Sequence, residues 1–251
     1  MSNVDIILPT YNCEKTIDET INSVINQSFK DWNLIVIDDA STDSTAIQIK
    51  QYLKDNRVSF KILKRNKGAG FCRNLGIRQS KSKYVAFIDS DDLWKENKLK
   101  VQLKFIEKNN LEFSYTDFIP FRTKNEKKIL KKKIILPEKF NYKLFLKNSS
   151  ICTSTIIIKR EKIGLIKFIN TTICEDYFFK CKLLKNYNAI KTPGDEITFY
   201  RISKNSLQSN KIRNLYWVWK INRKYNKMNI FKNIFSISLI SINSLKNYGL
   251  R

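Results

Sequence analysis

Four short apolar runs, each followed by a stretch with helical spacing, constrain this chain more than any other feature. They lie at residues 4–9 (VDIILP), 32–37 (WNLIVI), 58–63 and 84–88 (YVAFI). Between them, Ile17, Ile21, Val24 and Ile25 fall on one face of a helix over 16–27. Ser41 or Asp43 can cap a second helix that carries Ile47 and Leu53. A third runs through 73–77, and a fourth over 95–107 shows Leu99, Leu103 and Ile106 on one side. Strands that are apolar throughout, separated by helices, predict an α/β fold: a mainly parallel central sheet covered on both faces. Ligands of such sheets bind beyond the carboxyl ends of the strands. Three of the four runs end there in polar groups: Thr10-Tyr11-Asn12, Asp38-Asp39 and Asp89-Ser90-Asp91-Asp92. The third run leads into a glycine-containing loop, 66–70.

The second half is less regular. Strands are predicted at 113–118, 128–136, 154–158 and 196–200, and helices at 142–146 and 175–184. From Asn210 onward, Leu215, Val218, Trp219 and Ile221 give helical spacing. No internal repeat or low-complexity linker interrupts the chain. The expected organisation is one domain over 1–209, with halves 1–115 and 116–209, followed by a helical tail over 210–251.

The sequence has no histidine among its 251 residues. That excludes a Ser-His-Asp triad, a His-paired cysteine nucleophile and a His-ligated zinc. A general base is then expected to be a carboxylate. Cys13, Cys72, Cys152, Cys174 and Cys181 are odd in number and form no CxxC pair, which reads as reduced thiols in a cytoplasmic protein. The first residues lack the pattern of a signal peptide, and no apolar run approaches the ~20 residues that span a bilayer. The net charge of +24 is uneven: residues 1–115 carry +3 and residues 116–251 carry +21. The basic half faces an anionic partner or presents a lysine-rich solvated surface.

Asp89, Asp91 and Asp92 form the strongest chemical signal. Three carboxylates within four residues repel one another unless a cation offsets them, and oxygen-only ligands suit Mg²⁺ or Mn²⁺ bridged to phosphates. The plainer alternative is a turn whose aspartates cap the next helix. At Asp38-Asp39 one residue is expected to turn the chain and the other to accept from a ligand N–H. Gly68-Ala69-Gly70 resembles a dinucleotide loop, but Arg73 stands at its third glycine position, which argues against a nicotinamide or flavin cofactor. Glu175-Asp176 either answers a helix dipole or supplies a general base. Arg201, with Ser203, Lys204 and Ser206, can clamp a diphosphate or form an ordinary exposed loop.

Taken in order, ILPTYN (7–12), IDDASTDST (37–45), NKGAGFCRN (66–74), FIDSDDLW (87–94) and CEDYFF (174–179) resemble the motifs of the family 2 glycosyltransferases of A-type fold. The resemblance covers about residues 1–205. It implies a catalytic domain over 1–209 whose first half binds a nucleotide-sugar and whose second half binds the acceptor. Pro9, Thr10 and Tyr11 would line the base and ribose pocket, with Asp39 accepting from a uracil N–H. Arg73 and Ser90 would sit at the nucleotide, and Asp89 and Asp91 would form the metal-binding pair for Mn²⁺ or Mg²⁺. Asp176, beside Glu175, would be the catalytic base, and Arg201 would lie near the diphosphate. The implied reaction is inverting transfer from a UDP-sugar to a glycan or lipid-linked acceptor in cell-envelope polysaccharide synthesis. A Gln-x-x-Arg-Trp segment is absent, which implies addition of one sugar per encounter.

Two further readings stay open from the residues: a catalytically silent nucleotide-sugar-binding scaffold, and a basic nucleic-acid binder. The acid-rich strand ends oppose the latter, so no nucleic acid is expected as partner. In the tail, Ile230, Phe231, Ile234, Phe235, Ile237, Leu239, Ile240 and Ile242, with Lys227, Lys232 and Lys246 nearby, suit peripheral contact with an anionic membrane on its cytosolic face. Packing on the domain, or a homodimer contact, are the alternatives.

Overall fold

The computed structural model describes residues 3–125, 127–195, 198–202 and 210–248. The first half runs β1 (Val4–Thr10), α1 (Ile17–Ile25), β2 (Trp32–Asp38), α2 (Thr45–Lys50), β3 (Val58–Ile62), α3 (Ala69–Gln79), β4 (Tyr84–Phe87), β5 (Leu93–Trp94) and α4 (Lys98–Lys108). The second half runs β6 (Phe113–Tyr115), β7 (Phe118–Lys124), β8 (Lys127–Leu130), β9 (Lys139–Phe140), α5 (Tyr142–Phe145), β10 (Ile157–Lys159), α6 (Arg160–Ile163), α7 (Glu175–Asn186), β11 (Ala189–Lys191) and β12 (Thr198–Arg201). Two tail helices follow, α8 (Lys211–Lys224) and α9 (Ile230–Tyr248).

The main sheet has the order β3-β2-β1-β4-β10-β6-β11-β9. Its first four strands are parallel, with β1 between β2 and β4. Strand β10 enters antiparallel to β4 and β6. The strand order reverses between β1 and β4, and in such sheets the ligand crevice lies beyond the carboxyl ends of the strands at that point.

Burial on both faces explains why β1, β2 and β4 are so largely apolar, whereas β3, at the sheet edge, leaves Ser59, Lys61 and Ile62 exposed. Along β1, Val4, Ile6 and Leu8 pack with Ile17, Ile21 and Val24 of α1 and Leu99, Leu103 and Ile106 of α4. Ile7 points the other way, into a core shared with Val85 and Phe87 of β4. This is period-two alternation with both faces covered. Helix α3 lies close on β1 at Gly76, where an added Cβ would fall 2.5 Å from Ile7 Cγ2.

A smaller sheet, β5-β12-β7-β8, stands beside the first. The structure therefore divides the strand expected over 113–118 between two sheets: β6 joins the large sheet and β7 the small one. The strand expected over 128–136 ends at Leu130, with a separate bridge from Ile134 to Phe118. The start of the one expected over 154–158 is a short 3₁₀ turn, Thr153–Thr155. Of the strand expected over 196–200, residues 198–200 lie in β12, while 196 and 197 fall outside the described residues. The same holds for Ser203, Lys204 and Ser206 and for the proposed boundary at 209/210.

Candidate active site

At the end of β1, Thr10 donates its hydroxyl to Asp38 Oδ1 (2.9 Å). Asp38 also accepts from the Ser41 amide (2.9 Å) and hydroxyl (2.6 Å). It is therefore the residue of the Asp38-Asp39 pair that turns the chain. Asn12 and Ala40 adopt left-handed φ values of 46° and 61° at these two strand ends. The two loops are tied by the Asn12 amide on Ser41 and the Thr42 amide on Asn12 Oδ1. Pro9 is buried in β1, whereas Tyr11 is about half exposed at the rim (48%).

Asp39 is buried, and its two oxygens accept the amides of Lys67 and Gly68, each at 2.7 Å. The sequence reading left this carboxylate free for a ligand. Instead it anchors the glycine loop, although each carboxylate oxygen keeps a second acceptor site. Gly68 sits at φ +88°, a conformation that side chains resist.

The acidic loop after β4 divides its carboxylates. Asp92 is fully buried and accepts from Ser154 Oγ (2.6 Å) and the Arg201 amide (2.9 Å). It is the internal support of the loop. Ser154 also receives the Asp89 amide (3.0 Å), and Thr16 donates to the Ser90 carbonyl (2.8 Å). Asp89 Oδ1 meets Arg73 at 2.6 Å. Asp91 has a different character: burial and the neighbouring Asp89 push its carboxyl up to about 6, against the pull of Arg201.

Arg73 explains why no third glycine stands there. Its guanidinium is buried and spans Asp89 and Glu175, both at 2.6 Å. Burial opposes its charge, but these carboxylates hold its pKa above the ordinary guanidinium range. It thus ties the β4 loop to the start of α7. Just before α7, Cys174 takes a left-handed φ of 61°, and the chain turns into Glu175-Asp176.

Asp176 Oδ2 accepts from Lys180 Nζ (2.7 Å) and Thr153 Oγ1 (2.8 Å). Burial opposes its ionisation, but Lys180 and the hydrogen bonds win and lower its pKa to about 2. Glu175 shifts upward instead, because burial outweighs its pairing with Arg73. Lys180 lies four residues after Asp176 on α7, spacing visible in the sequence; Thr153 and Ser154 gave no such signal.

Arg201, expected near the diphosphate, is held by the protein itself. Its Nε donates to the Asp91 carbonyl (2.8 Å), and its terminal nitrogens are engaged by Thr123 and Glu19. All three guanidinium nitrogens are committed to the protein, so it braces the acidic loop from β12.

Asp89 and Asp176 face a cavity of about 380 Å³ that runs between loop 148–153, α7 and the two tail helices. Among the described residues, no three carboxylates or thiolates gather into a self-sufficient metal site. The donor set is nonetheless compatible with a hard divalent ion. Asp91 is a partly buried carboxylate beside a second one, and hard ions complete such a shell with phosphate oxygens.

An α/β sheet with this switch point, an acidic loop after β4 and a carboxylate pair opening α7 define a nucleotide-sugar transferase architecture. The chain belongs to glycosyl transferase family 2: residues 5–164 match that family's profile. It is similar to TuaG of Bacillus subtilis (strain 168), a glycosyltransferase assigned to teichuronic acid biosynthesis, at 33% identity over 97% of this chain and 96% of that protein. WfgD of Escherichia coli, a UDP-Glc:α-D-GlcNAc-diphosphoundecaprenol β-1,3-glucosyltransferase, is 34% identical over 87% of this chain and 84% of its own length. In fold, the chain resembles S. aureus TarS in complex with UDP-GlcNAc (TM-score 0.74, 19% identity, 97% of this chain and 73% of that one). It is a glycosyltransferase with the A-type fold and a C-terminal helical extension.

Proposed function

We propose that this enzyme transfers one sugar from a UDP-sugar to a hydroxyl of a lipid-linked glycan in cell-surface polysaccharide synthesis, with inversion at the anomeric carbon. The observation that carries this reading is Asp176. It is a carboxylate held by Lys180 and Thr153 at the wall of a cavity that Asp89 also lines. The names of the two relatives support the substrate class.

The chemistry follows from charge. The acceptor hydroxyl approaches Asp176, which takes its proton as the oxygen attacks the anomeric carbon from the side opposite the diphosphate. Lys180 and Thr153 fix the orientation of Asp176 during that transfer. A bound Mn²⁺ or Mg²⁺ would supply positive charge at the departing diphosphate. Asp91 and Asp89 would hold it, while Arg73 and Arg201 keep their loop in place. Tyr11 is exposed at the end of β1, where it could stack on a base, and Asp39 at the glycine loop would accept from the base N–H.

Calorimetric titration of UDP, GDP and TDP, with and without Mn²⁺, tests the donor assignment. Metal-dependent binding of UDP alone is expected. Preference for GDP, or equal binding without metal, would overturn it. Proton NMR of the first-formed linkage tests inversion.

Among the described residues no helix is long and apolar enough to cross a membrane. Helix α9 nevertheless exposes Phe231, Phe235, Ile242 and Leu245 along one face, with Lys232 and Lys246 exposed beside them. That face suits peripheral contact with an anionic bilayer, where a lipid-linked acceptor resides. Flotation with phosphatidylglycerol vesicles, but not phosphatidylcholine vesicles, is the expected result. A dimer in sedimentation that Phe231→Ser disrupts would assign the face to self-association instead.

A further inference from the structure

The cavity beside Asp176 contains more hydrogen-bonding capacity than the protein itself uses. Asn148 Oδ1 and Ser150 Oγ are buried and have no hydrogen-bond partner among the described residues. Both line this cavity, and so do Asp89 and Asp176. Polar atoms left unpaired out of water are costly, and their natural complement is a ligand group that donates and accepts.

The opposite wall belongs to α9, through Ser241, Ser244 and Asn247. This helix is tied to the chain segment that leads into Asn148. Ser236 donates to the Leu146 carbonyl, and Asn243 donates to the Lys147 carbonyl at 3.0 Å. The tail therefore forms one wall of the cavity and also fixes the loop that forms the other. Tyr200 and Phe118 add aromatic surface. Amides, hydroxyls and aromatic rings share this lining of about 380 Å³ with aliphatic Ile151, Val218 and Ile240 and with Lys180 and Lys211, a mix of polar groups and apolar wall that suits the hydroxyls and the C–H faces of a sugar ring. Among the described residues, the carboxylates along this lining are Asp89 and Asp176.

We propose that Asn148 and Ser150, closed over by α9, form the subsite for the acceptor's sugar ring and determine which acceptor is used. The proposal rests on the transferase reading and adds to it the residues that select the acceptor. The ring enters with one hydroxyl toward Asp176, and Asn148 Oδ1 and Ser150 Oγ take up hydroxyls on its far side. The tail helices are then part of the specificity apparatus, beyond any role as an anchor.

Full-length protein saturated with UDP and Mg²⁺ provides the test, with methyl glycosides of glucose, galactose and N-acetylglucosamine as probes. At least one is expected to shift the NMR signals of Asn148 and Ser150. The double change Asn148→Ala with Ser150→Ala should weaken its affinity at least tenfold and leave UDP affinity unchanged. Ser244→Phe, which fills the cavity from α9 without touching the loop, should do the same if the loop variant fails to fold. Three results would overturn the subsite: no glycoside perturbs either residue, the variants retain wild-type glycoside affinity, or the glycosides compete with UDP. Failure of UDP itself to bind is a separate result that removes the donor reading.

Discussion

Two carboxylates at opposite ends of the sheet have been put to opposite uses. Asp5, near the start of β1, accepts five hydrogen bonds: from Asn33, from the Ser80 hydroxyl, from the Lys81 amide, and from both the amide and hydroxyl of Ser82. Burial opposes its charge, yet these donors hold its pKa below the usual carboxylate value. Asp91, beyond the end of β4, is pushed up to about 6 by burial and the Asp89 charge. One carboxylate is satisfied by the protein. The other is left under electrostatic stress of a kind a ligand cation relieves. The same residue type reads as scaffold at one end and as site at the other, and the donors around it decide which.

Sharpening this contrast begins with the largest effect. Asp176→Asn removes the proton acceptor but keeps its shape. Transfer should fall by about 10²–10⁴-fold or more, with UDP binding unchanged, as read by product formation and calorimetry. Near-normal transfer would mean that another group takes the proton. Asp91→Asn should separate in the other direction: metal-dependent UDP binding is lost while the melting temperature holds or rises, because a like-charge repulsion has gone.

Asp5→Ala should do the reverse of Asp91→Asn. It strands the amides of Lys81 and Ser82 and two serine hydroxyls, so unfolding in urea should show a loss of about 3 kcal/mol or more. UDP affinity of the folded fraction should be unaffected. If instead Asp91→Asn unfolds the protein and Asp5→Ala spares it, the division between scaffold and site is wrong. Gly76→Ala probes the scaffold closer to the crevice. Its methyl would meet Ile7 at 2.5 Å, so α3 must shift on β1, at about 1–3 kcal/mol.

Periodicity was a good guide where it was strict. Strands β1, β2 and β4 were legible because they are largely apolar and buried on both faces, and helices α1 and α4 because each shows one apolar stripe. The second half was less so: β6 and β7 are contiguous in apolar character but part at Thr116-Asp117 into different sheets, a tertiary decision invisible to local spacing. In the site, the acidic residues could be picked out from the chain alone, but their division of labour could not. Asp92 sits beside Asp91 in sequence, yet it is Ser154 and the Arg201 amide, 62 and 109 residues away, that make it structural. Arg201 has the composition of a phosphate clamp, and only its three partners reveal a brace. Asn148 and Ser150 carry no motif; their significance comes from what fails to meet them in space.

The smallest expected effect concerns a charge that the fold buries without any carboxylate. Lys98 opens α4 fully buried, with its amine 3.9 Å from the Trp94 ring centroid and no hydrogen-bond partner among the described residues. Burial drives its pKa well below the lysine value of 10.5, so between the folded pKa and 10.5 the folded protein holds this amine neutral while the unfolded chain binds a proton. The unfolded state carries more protons in that interval, and the sign follows: stability should rise as pH climbs from the folded pKa toward 10.5. Lys98→Met fills similar volume without the desolvation cost. It should raise stability at pH 7 by about 1 kcal/mol and flatten the stability–pH curve above neutrality, with UDP binding unchanged. Urea unfolding of both proteins across pH 6 to about 9.5 reads both quantities. A variant whose curve keeps the wild-type slope would show that the slope belongs to other groups and that Lys98 reaches water in the folded state.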